Sequence, residues 1–399
     1  MTRPVLPPRG AFADATLLVR GGALRSTFEE TSEALFLTSG FVYESAEAAE
    51  AAFENDGSRY VYSRYQNPTV SMFEERLRLI EGAEICRATA SGMAAVFAAL
   101  LCRLKGGERI VSSRALFGSC HYVVADILPR YGIEAVFVDG RDLGAWQEAI
   151  EGGAALAFCE SPSNPSMEII DIPAVADLVH RAGGLLVVDN VFASPVLQKP
   201  LALGADVVVY SATKHIDGQG RALGGAVLCS EKYWKDHLGF FFRHTGPCLS
   251  PFNAWVLLKG LETMELRVER QCRTALFLAR FLEAHAKIRR VLYPGLQSHP
   301  QYELARRQMK AGGNLIAFDV EGGKEGAFRF LDALELIDIS NNLGDTKSLV
   351  THPATSTHAK MKPEILSGMG IGDGMVRFSV GLEAEEDLQA DLERALLRL

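Results

Sequence analysis

Between Ala90 and Cys229 the chain repeats one pattern, a short run that is apolar at every position followed by a longer stretch of helical period. The runs are Ile110-Val111, Ala135 to Val138, Ala154 to Phe158, Leu185 to Val188, Val207 to Val209 and Ala226 to Leu228. A strand with one wet face alternates apolar and polar residues. A strand that is apolar throughout is covered on both faces, as in a parallel sheet with helices on either side. Met93 to Arg103, Ser119 to Tyr131, Leu143 to Ile150 and Ile172 to Arg181 are long enough to serve as the crossover helices such strands need. The pattern therefore predicts an α/β fold with a mainly parallel sheet. Ligands of such sheets sit at the carboxyl ends of strands. Glu160, Asp189 and Ser211 occupy that position on three different strands.

The flanks differ. Residues 1–66 hold an irregular Pro-rich start and one short Ala- and Glu-rich helix, Ser45 to Phe53, too little to fold alone. They are expected to form an arm that packs on another surface. Residues 67–258 read as a large domain and 259–399 as a smaller α+β domain. The change is marked by Phe252 to Lys287, read as one long amphipathic helix, and by Asn314 to Val320 and Met375 to Val380, which alternate as half-buried strands do.

The 399 residues are 48% hydrophobic and 23% charged, enough apolar matter for a full core. A net charge of −8 without any Lys/Arg block gives no surface for tracking phosphates, so nucleic acid is not an expected partner and small molecules are. No apolar run reaches the roughly 18 residues of a membrane span. The opening, Met1 to Pro8, has no secretory apolar region. A cytoplasmic protein without membrane contact is expected. Seven scattered cysteines, odd in number and without a C-x-x-C pair, read as reduced thiols, mostly in the core. His352 and His358, in a Pro- and Thr-rich loop, read as solvated or capping, and no metal is assigned.

Lys214, in Ser211-Ala212-Thr213-Lys214-His215, follows one buried strand, and Asp189 ends another. A lysine can condense with the aldehyde of pyridoxal phosphate (PLP), and an aspartate can keep its pyridine nitrogen protonated. Alone, the lysine would read as a snorkelling surface residue and the aspartate as a cap or ion-pair partner. A carboxylate at the end of Leu185 to Val188 would be poorly solvated, however, and needs a cationic or hydrogen-bonding partner. Ser211 and Thr213 offer hydroxyls for a phosphate, and Gly218, Gly220, Gly224 and Gly225 keep the following turn slim. Ser91-Gly92-Met93 has the form of a capped helix start, where free N–H groups bind phosphate. Arg64, beside Tyr62, is either a loop charge or a bidentate phosphate clamp. Phe117 is either core or a ring stacked on a pyridine, and Asn164 either closes an Asx turn or donates to a phenolic oxygen. Arg377, a cation within an otherwise apolar strand, requires an anion, either a structural carboxylate or that of a substrate.

Taken in order, these segments, from Leu17-Leu18-Val19-Arg20-Gly21-Gly22 to Arg377-Phe378-Ser379-Val380-Gly381-Leu382-Glu383, resemble the Cys/Met-metabolism family of PLP-dependent enzymes. That family contains the cystathionine synthases and lyases, methionine γ-lyase and the sulfhydrylases. The resemblance implies fold type I of the PLP-dependent transferases and a homotetramer assembled as a dimer of dimers with shared active sites. It makes Lys214 the lysine joined to the cofactor and Asp189 the partner of the ring nitrogen. Ser91, Gly92, Met93, Ser211 and Thr213 would hold the phosphate, with Tyr62 and Arg64 from the neighbouring subunit. Phe117 would stack on the ring, Asn164 would lie near its hydroxyl, and Arg377 would bind the amino-acid carboxylate.

Leu35 to Ser39, Phe117 to Ser119, His215 to Arg221, Leu249 to Trp255 and Asn342 to Lys347 are most similar to the sulfhydrylases that act on O-succinylhomoserine. This adds Asn342 to the implied substrate site. The implied reaction is γ-replacement, with O-succinyl-L-homoserine and sulfide giving L-homocysteine and succinate for methionine biosynthesis. Cystathionine γ-synthase, O-acetylhomoserine sulfhydrylase and γ-lyase activities on the same scaffold are the alternatives. Most relatives carry tyrosine where this chain has Phe117, so proton traffic served there by a phenol falls to Lys214, Tyr62 or the substrate. Ser119 replaces the cysteine of methionine γ-lyases. Arg114 is the candidate for a distal carboxylate. A nucleotide-binding dehydrogenase, which the α/β pattern alone permits, lacks its G-x-G-x-x-G between strand and helix.

Overall fold

The computed structural model describes residues 3–4, 12–54 and 59–399, so most of the Pro-rich start lies outside the described residues. The apolar runs become strands of a seven-stranded sheet: β1 (Ile85–Thr89), β2 (Arg109–Ser113), β3 (Glu134–Val138), β4 (Leu156–Glu160), β5 (Leu185–Asp189), β6 (Val207–Tyr210) and β7 (Gly225–Cys229). Their order is β1-β7-β6-β5-β4-β2-β3. Pairing is parallel from β6 through β5, β4 and β2 to β3. Strand β7 runs against both β6 and β1, so the apolar run at Ala226 joins the sheet reversed. The cause is its connection, residues 211–224, which carries no helix, and a strand that returns without a crossover helix returns antiparallel. Strand β1 escapes an apolar-run reading because Arg87 interrupts it. That guanidinium meets Glu74 at 3.1 Å and lies 4.6 Å above the Trp234 ring.

Every residue of β4, β6 and β7 is buried, as unbroken apolar runs require. The crossover helices form at Gly92–Leu101, Leu143–Glu151 and Ile172–Arg181. The segment read as a helix from Ser119 to Tyr131 is helical throughout but changes pitch. It begins at Gly118–Tyr122, widens over Val123–Ile127 and tightens over Leu128–Tyr131, where Pro129 lacks an N–H to continue the regular ladder.

The single helix expected from Phe252 to Lys287 is two helices, Pro251–Leu261 and Met264–Ala284, which meet at Glu262-Thr263. The longer one spans two cores. Its Met264, Val268 and Cys272 pack with the large sheet, and Ala275, Leu278, Ala279 and Leu282 pack with the C-terminal sheet. That second sheet orders β8 (Ile288–Leu292), β9 (Leu315–Val320), β10 (Asp338–Ile339), β11 (Leu349–Thr351) and β12 (Met375–Ser379) as β8-β9-β12-β11-β10. Strands β9 and β12 were expected to be half-buried, yet β12 is buried throughout and β9 nearly so. Ile316, Phe318, Val376 and Phe378 face the C-terminal helices, while Leu315 and Ala317 pack on Met167, Phe192 and Leu343. The face expected to be wet is closed by the large domain.

Within the arm, Asp14–Arg20 packs Leu18 into the main core of the same chain. Glu33 lies between the Arg76 guanidinium, at 2.5 Å, and the Lys259 ammonium. Gly21, Ala23 and Ala52 are buried as well, while other parts of the arm are open to solvent. Phe28 and Val42 stand 90% and 91% open. Ala46–Glu54 forms the expected short helix, started by the Ser45 hydroxyl, which accepts from the Ala48 N–H at 3.1 Å. All seven cysteines are free, and five of them are buried. No described helix is long and apolar enough to cross a membrane.

Candidate active site

Strands β4, β5 and β6 end side by side. Glu160 and Asp189 are in register on adjacent parallel strands, so their carboxyls leave the sheet on the same face. After β6 the chain enters a tight turn, closed by Lys214 N–H to Ser211 O (3.2 Å) and Gly218 N–H to Lys214 O (2.7 Å). Arg267 holds this turn from the long helix by donating to the carbonyls of His215 (2.9 Å) and Gly260 (2.8 Å). At Gly218 φ is +65° and a Cβ would lie 1.7 Å from the Arg267 guanidinium, so only glycine fits.

Lys214 points its ammonium at Asn342 Oδ1, 2.7 Å away. Burial, helped by the field of Arg377, pulls its pKa down to about 8, so a usable fraction of free amine exists near neutral pH. Asp189 accepts one hydrogen bond, from the Val191 N–H at 3.0 Å, and burial pushes its pKa upward. Glu160 is pushed up further, by burial and then by Asp189. Two buried acids side by side make this end of the sheet a place where a cationic ring nitrogen is favoured.

These groups line a cavity of about 290 Å³. Ser91, Gly92, Met93, Phe117, Asn164, Asp189, Ser211, Thr213, Lys214 and Arg377, all singled out in the sequence, meet on its wall. Asn342 reaches Lys214 from beside it. Tyr62 and Arg64 lie elsewhere in this chain. Arg64 donates to the Arg243 carbonyl, with its guanidinium carbon 5.4 and 4.7 Å from the Tyr62 and Tyr65 ring centres, in a second cavity of about 310 Å³. Arg114 pairs with Asp139 at 2.5 Å and does not line the lysine cavity. Glu160, Cys120, Asn341 and Thr357 line it without having been assigned a role. Glu160 was legible as a strand end, whereas Asn341 and Thr357 arrive on C-terminal loops with no periodic signal.

The helix at Gly92–Leu101 begins against the lysine turn. Ser91 Oγ accepts from Ala94 N–H at 3.1 Å, and the first N–H groups, those of Gly92 and Met93, have no intrahelical acceptor. A Cβ on Gly92 would come within 2.6 Å of Ser211 Cβ, so the missing side chain lets helix start and turn form one cradle. The Thr213 hydroxyl is committed, donating to the Gly224 carbonyl (3.2 Å) and accepting from the Gly224 N–H (3.0 Å).

Arg377 on β12 is 1% exposed, and among the described residues it has no carboxylate partner. Its guanidinium donates to Asn164 Oδ1 (3.1 Å) and to the carbonyls of Asn341 (2.9 Å) and Asn342 (3.3 Å), and Nε is buried without an acceptor. Burial lowers its pKa to about 10. Of the two partners weighed for it, the structural ion pair is absent among the described residues, and amide and carbonyl oxygens take its place. Asn164 thereby spends its side-chain oxygen on Arg377, and its amide NH2 remains as the donor. His352 and His358, read as solvated or capping, are both buried. His352 bonds Thr355 Oγ1 and the Asp373 carbonyl, and His358 bonds the Leu116 carbonyl, because their loop packs down on the large domain.

Residues 15–397 match the Cys/Met metabolism PLP-dependent enzyme family. The chain belongs to that family. It is 57% identical over 388 residues to the O-succinylhomoserine sulfhydrylase of Mycobacterium tuberculosis, covering 96% of each chain. It is 48% identical over 384 residues to that of Pseudomonas aeruginosa, covering 96% of this chain and 95% of the other. Cystathionine gamma synthase from Xanthomonas oryzae pv. oryzae superposes with a TM-score of 0.93 at 33% identity, covering 98% and 99% of the two chains. The fold is the type I α/β fold of these enzymes, and the cofactor is PLP. The cavity suits that group in its chemistry. It offers an amine at about 8, an acid with one hydrogen bond for a ring nitrogen, and a glycine-lined helix start for a phosphate.

Proposed function

We propose that this enzyme carries out γ-replacement on O-succinyl-L-homoserine with sulfide, giving L-homocysteine and succinate for methionine biosynthesis. The observation that carries this reading is the near-full-length likeness to O-succinylhomoserine sulfhydrylases from two organisms. When bound, PLP supplies an aldehyde to hold the substrate amine and a ring that accepts electrons from it.

The residues divide the remaining work. The N–H groups of Gly92 and Met93 and the hydroxyls of Ser91 and Ser211 would hold the phosphate, and Thr213, whose hydroxyl is bonded to Gly224, would turn from that carbonyl to join them. Asp189 would keep the ring nitrogen protonated, Phe117 would stack on the ring, and Asn164 would donate to its hydroxyl. Arg377 grips the substrate α-carboxylate through its planar fork, with Asn342 beside it. Lys214 would act as the base at Cα and then at Cβ, giving up the first proton before taking the second, and would return one proton to each carbon after sulfur has added. The succinate carboxylate leaves from Cγ, where the sulfur of hydrosulfide forms the new bond. No phenol is present at position 117, so Lys214 carries those protons. Hydrosulfide, already an anion near neutral pH, needs little help from a base.

The working unit is read as a cytoplasmic homotetramer, a dimer of dimers, in which Tyr62 and Arg64 complete the phosphate site of a neighbouring copy. Two observations support this: both residues lie outside the lysine cavity of their own chain, and the arm exposes Phe28 and Val42. Residues 1–66, 67–258 and 259–399 are taken as arm, large domain and C-terminal domain.

The test supplies O-succinylhomoserine or O-acetylhomoserine with sulfide or cysteine and identifies the products. Homocysteine from the succinyl ester and sulfide is expected. Preferential cystathionine formation, or preference for the acetyl ester, rejects the assignment. Apoprotein should capture PLP faster as pH rises and level off above about 8, where Lys214 is unprotonated. The holoenzyme should show an absorption band at about 420 nm that depends on the lysine joined to PLP, and Lys214→Ala should abolish it.

A further inference from the structure

We propose that Glu160 is a positioning residue whose carboxyl ties together the two loops flanking the cofactor ring and links them to the substrate-carboxylate site. This rests on reading the lysine cavity as the PLP site.

Glu160 is 4% exposed and lies directly beside Asp189 in the sheet register. Ligand atoms of Glu160, Asp189 and Cys120 all fall within 4.8 Å of one another. A second acid at that spot is costly, since it is desolvated and faces a like charge. Among the described residues no cationic side chain forms an ion pair with it. Its two oxygens go instead to two backbone groups from separate loops: Oε1 accepts from the Phe117 N–H at 2.8 Å, and Oε2 from the Asn164 N–H at 3.3 Å. Phe117 follows β2 and Asn164 follows β4, so one carboxyl spans the residue beside the ring face and the residue beside the ring oxygen.

The connection continues. Asn164 Oδ1 receives Arg377, the cation awaiting the substrate carboxylate. Phe117 is closed from its other side by the C-terminal domain. The His358 ring stands edge-on to it at 6.4 Å and 86°, and a Cβ on Gly118 would lie 2.6 Å from the Thr357 carbonyl. Occupation of Arg377 is therefore felt at Asn164, through Glu160, and at Phe117. A residue that only filled this volume could be a glutamine or methionine. The two N–H donors reach two different oxygens, which a carboxyl group supplies, whereas an amide in the same place would turn its NH2 towards one of them.

The test uses the holoenzyme and the variants Glu160→Gln and Glu160→Ala. Glutamine keeps the volume and one of the two acceptors; alanine removes both. The visible circular dichroism of bound PLP, which reports how its ring is seated, should weaken in the order wild type, Gln, Ala. Activity should fall in kcat by about tenfold per lost anchor, with little change in KM, as leaving a buried N–H without its acceptor implies. Wild-type dichroism and kcat in Glu160→Gln would overturn the proposal, and that variant suffices if the alanine protein does not fold. A wild-type protein that gains no visible band with PLP would remove the site reading itself. A normal wild-type band with unaltered Glu160→Gln dichroism removes only the role of Glu160.

Discussion

Glu81 is a buried acid far from the chemistry, and its replacement by glutamine makes a quantitative prediction. Its Oε2 accepts from the Tyr210 hydroxyl at 2.6 Å, and Tyr210 accepts in turn from Asn190 Nδ2 at 2.7 Å. Asn190 Oδ1 receives Gln198, which also donates to the Ser161 carbonyl at 2.8 Å. This chain of bonds underlies the residues that follow Glu160 and Asp189 and precede Ser211. Glu81 Oε1 has no well-aligned partner, although the Leu201 backbone lies nearby. Burial, only partly offset by Tyr210, raises the Glu81 pKa from 4.5 to about 7. The folded chain then keeps this proton at pH values where the unfolded chain has lost it. The associated stability is complete below about pH 4.5 and is lost as pH rises to about 7, a total of about 3 kcal/mol. Glutamine cannot titrate, keeps an oxygen for Tyr210, and leaves an NH2 poorly matched, costing about 1 kcal/mol. Glu81→Gln should therefore be about as stable as wild type at pH 5, where roughly 1 kcal/mol of the wild-type contribution is already lost, and more stable by about 2 kcal/mol at pH 8. Urea unfolding of the two holoenzymes at both pH values measures the difference, and the titrations of Asp189 and Glu160 cancel in it. Parallel loss of stability in the two proteins between pH 5 and pH 8 would refute the reasoning.

Two further outcomes follow from the site. Arg377→Lys replaces a planar fork by a single ammonium, so KM for the amino-acid substrate should rise about tenfold or more while the cofactor band stays unchanged; steady-state kinetics with an unaltered KM would argue against carboxylate binding there. Gly92→Ala places a Cβ 2.6 Å from Ser211 Cβ and separates the helix start from the lysine turn. Affinity for PLP, measured by titration of the apoprotein, should fall about tenfold as phosphate hydrogen bonds are lost, and wild-type affinity would show that this junction does not hold the phosphate.

Much of the large domain was legible because fully covered strands need unbroken apolar runs, as Val207 to Val209 does. The misses have physical causes. Strand β1 was hidden by Arg87, whose charge is absorbed by Glu74 and Trp234, residues distant in sequence from β1 or on another element. Strands β9 and β12 looked half-wet because their second face is closed by residues remote in sequence. The break at Glu262-Thr263 interrupts a stretch that stays amphipathic on both sides of it, so periodicity alone cannot reveal it.

The sequence by itself determined the sheet class, the strand ends that carry Glu160, Asp189 and Ser211, and the pairing of Lys214 with Asp189 that points to PLP. Those features are local, since hydrophobic period and residue type need no knowledge of distant neighbours. Only the tertiary structure decided that Arg377 meets Asn164 and, among the described residues, no carboxylate, that Glu160 spans Phe117 and Asn164, and that Lys214 faces Asn342. Each of these joins loops from different strands or domains. Such contacts are set by how two cores close on one another, and no spacing along the chain encodes them.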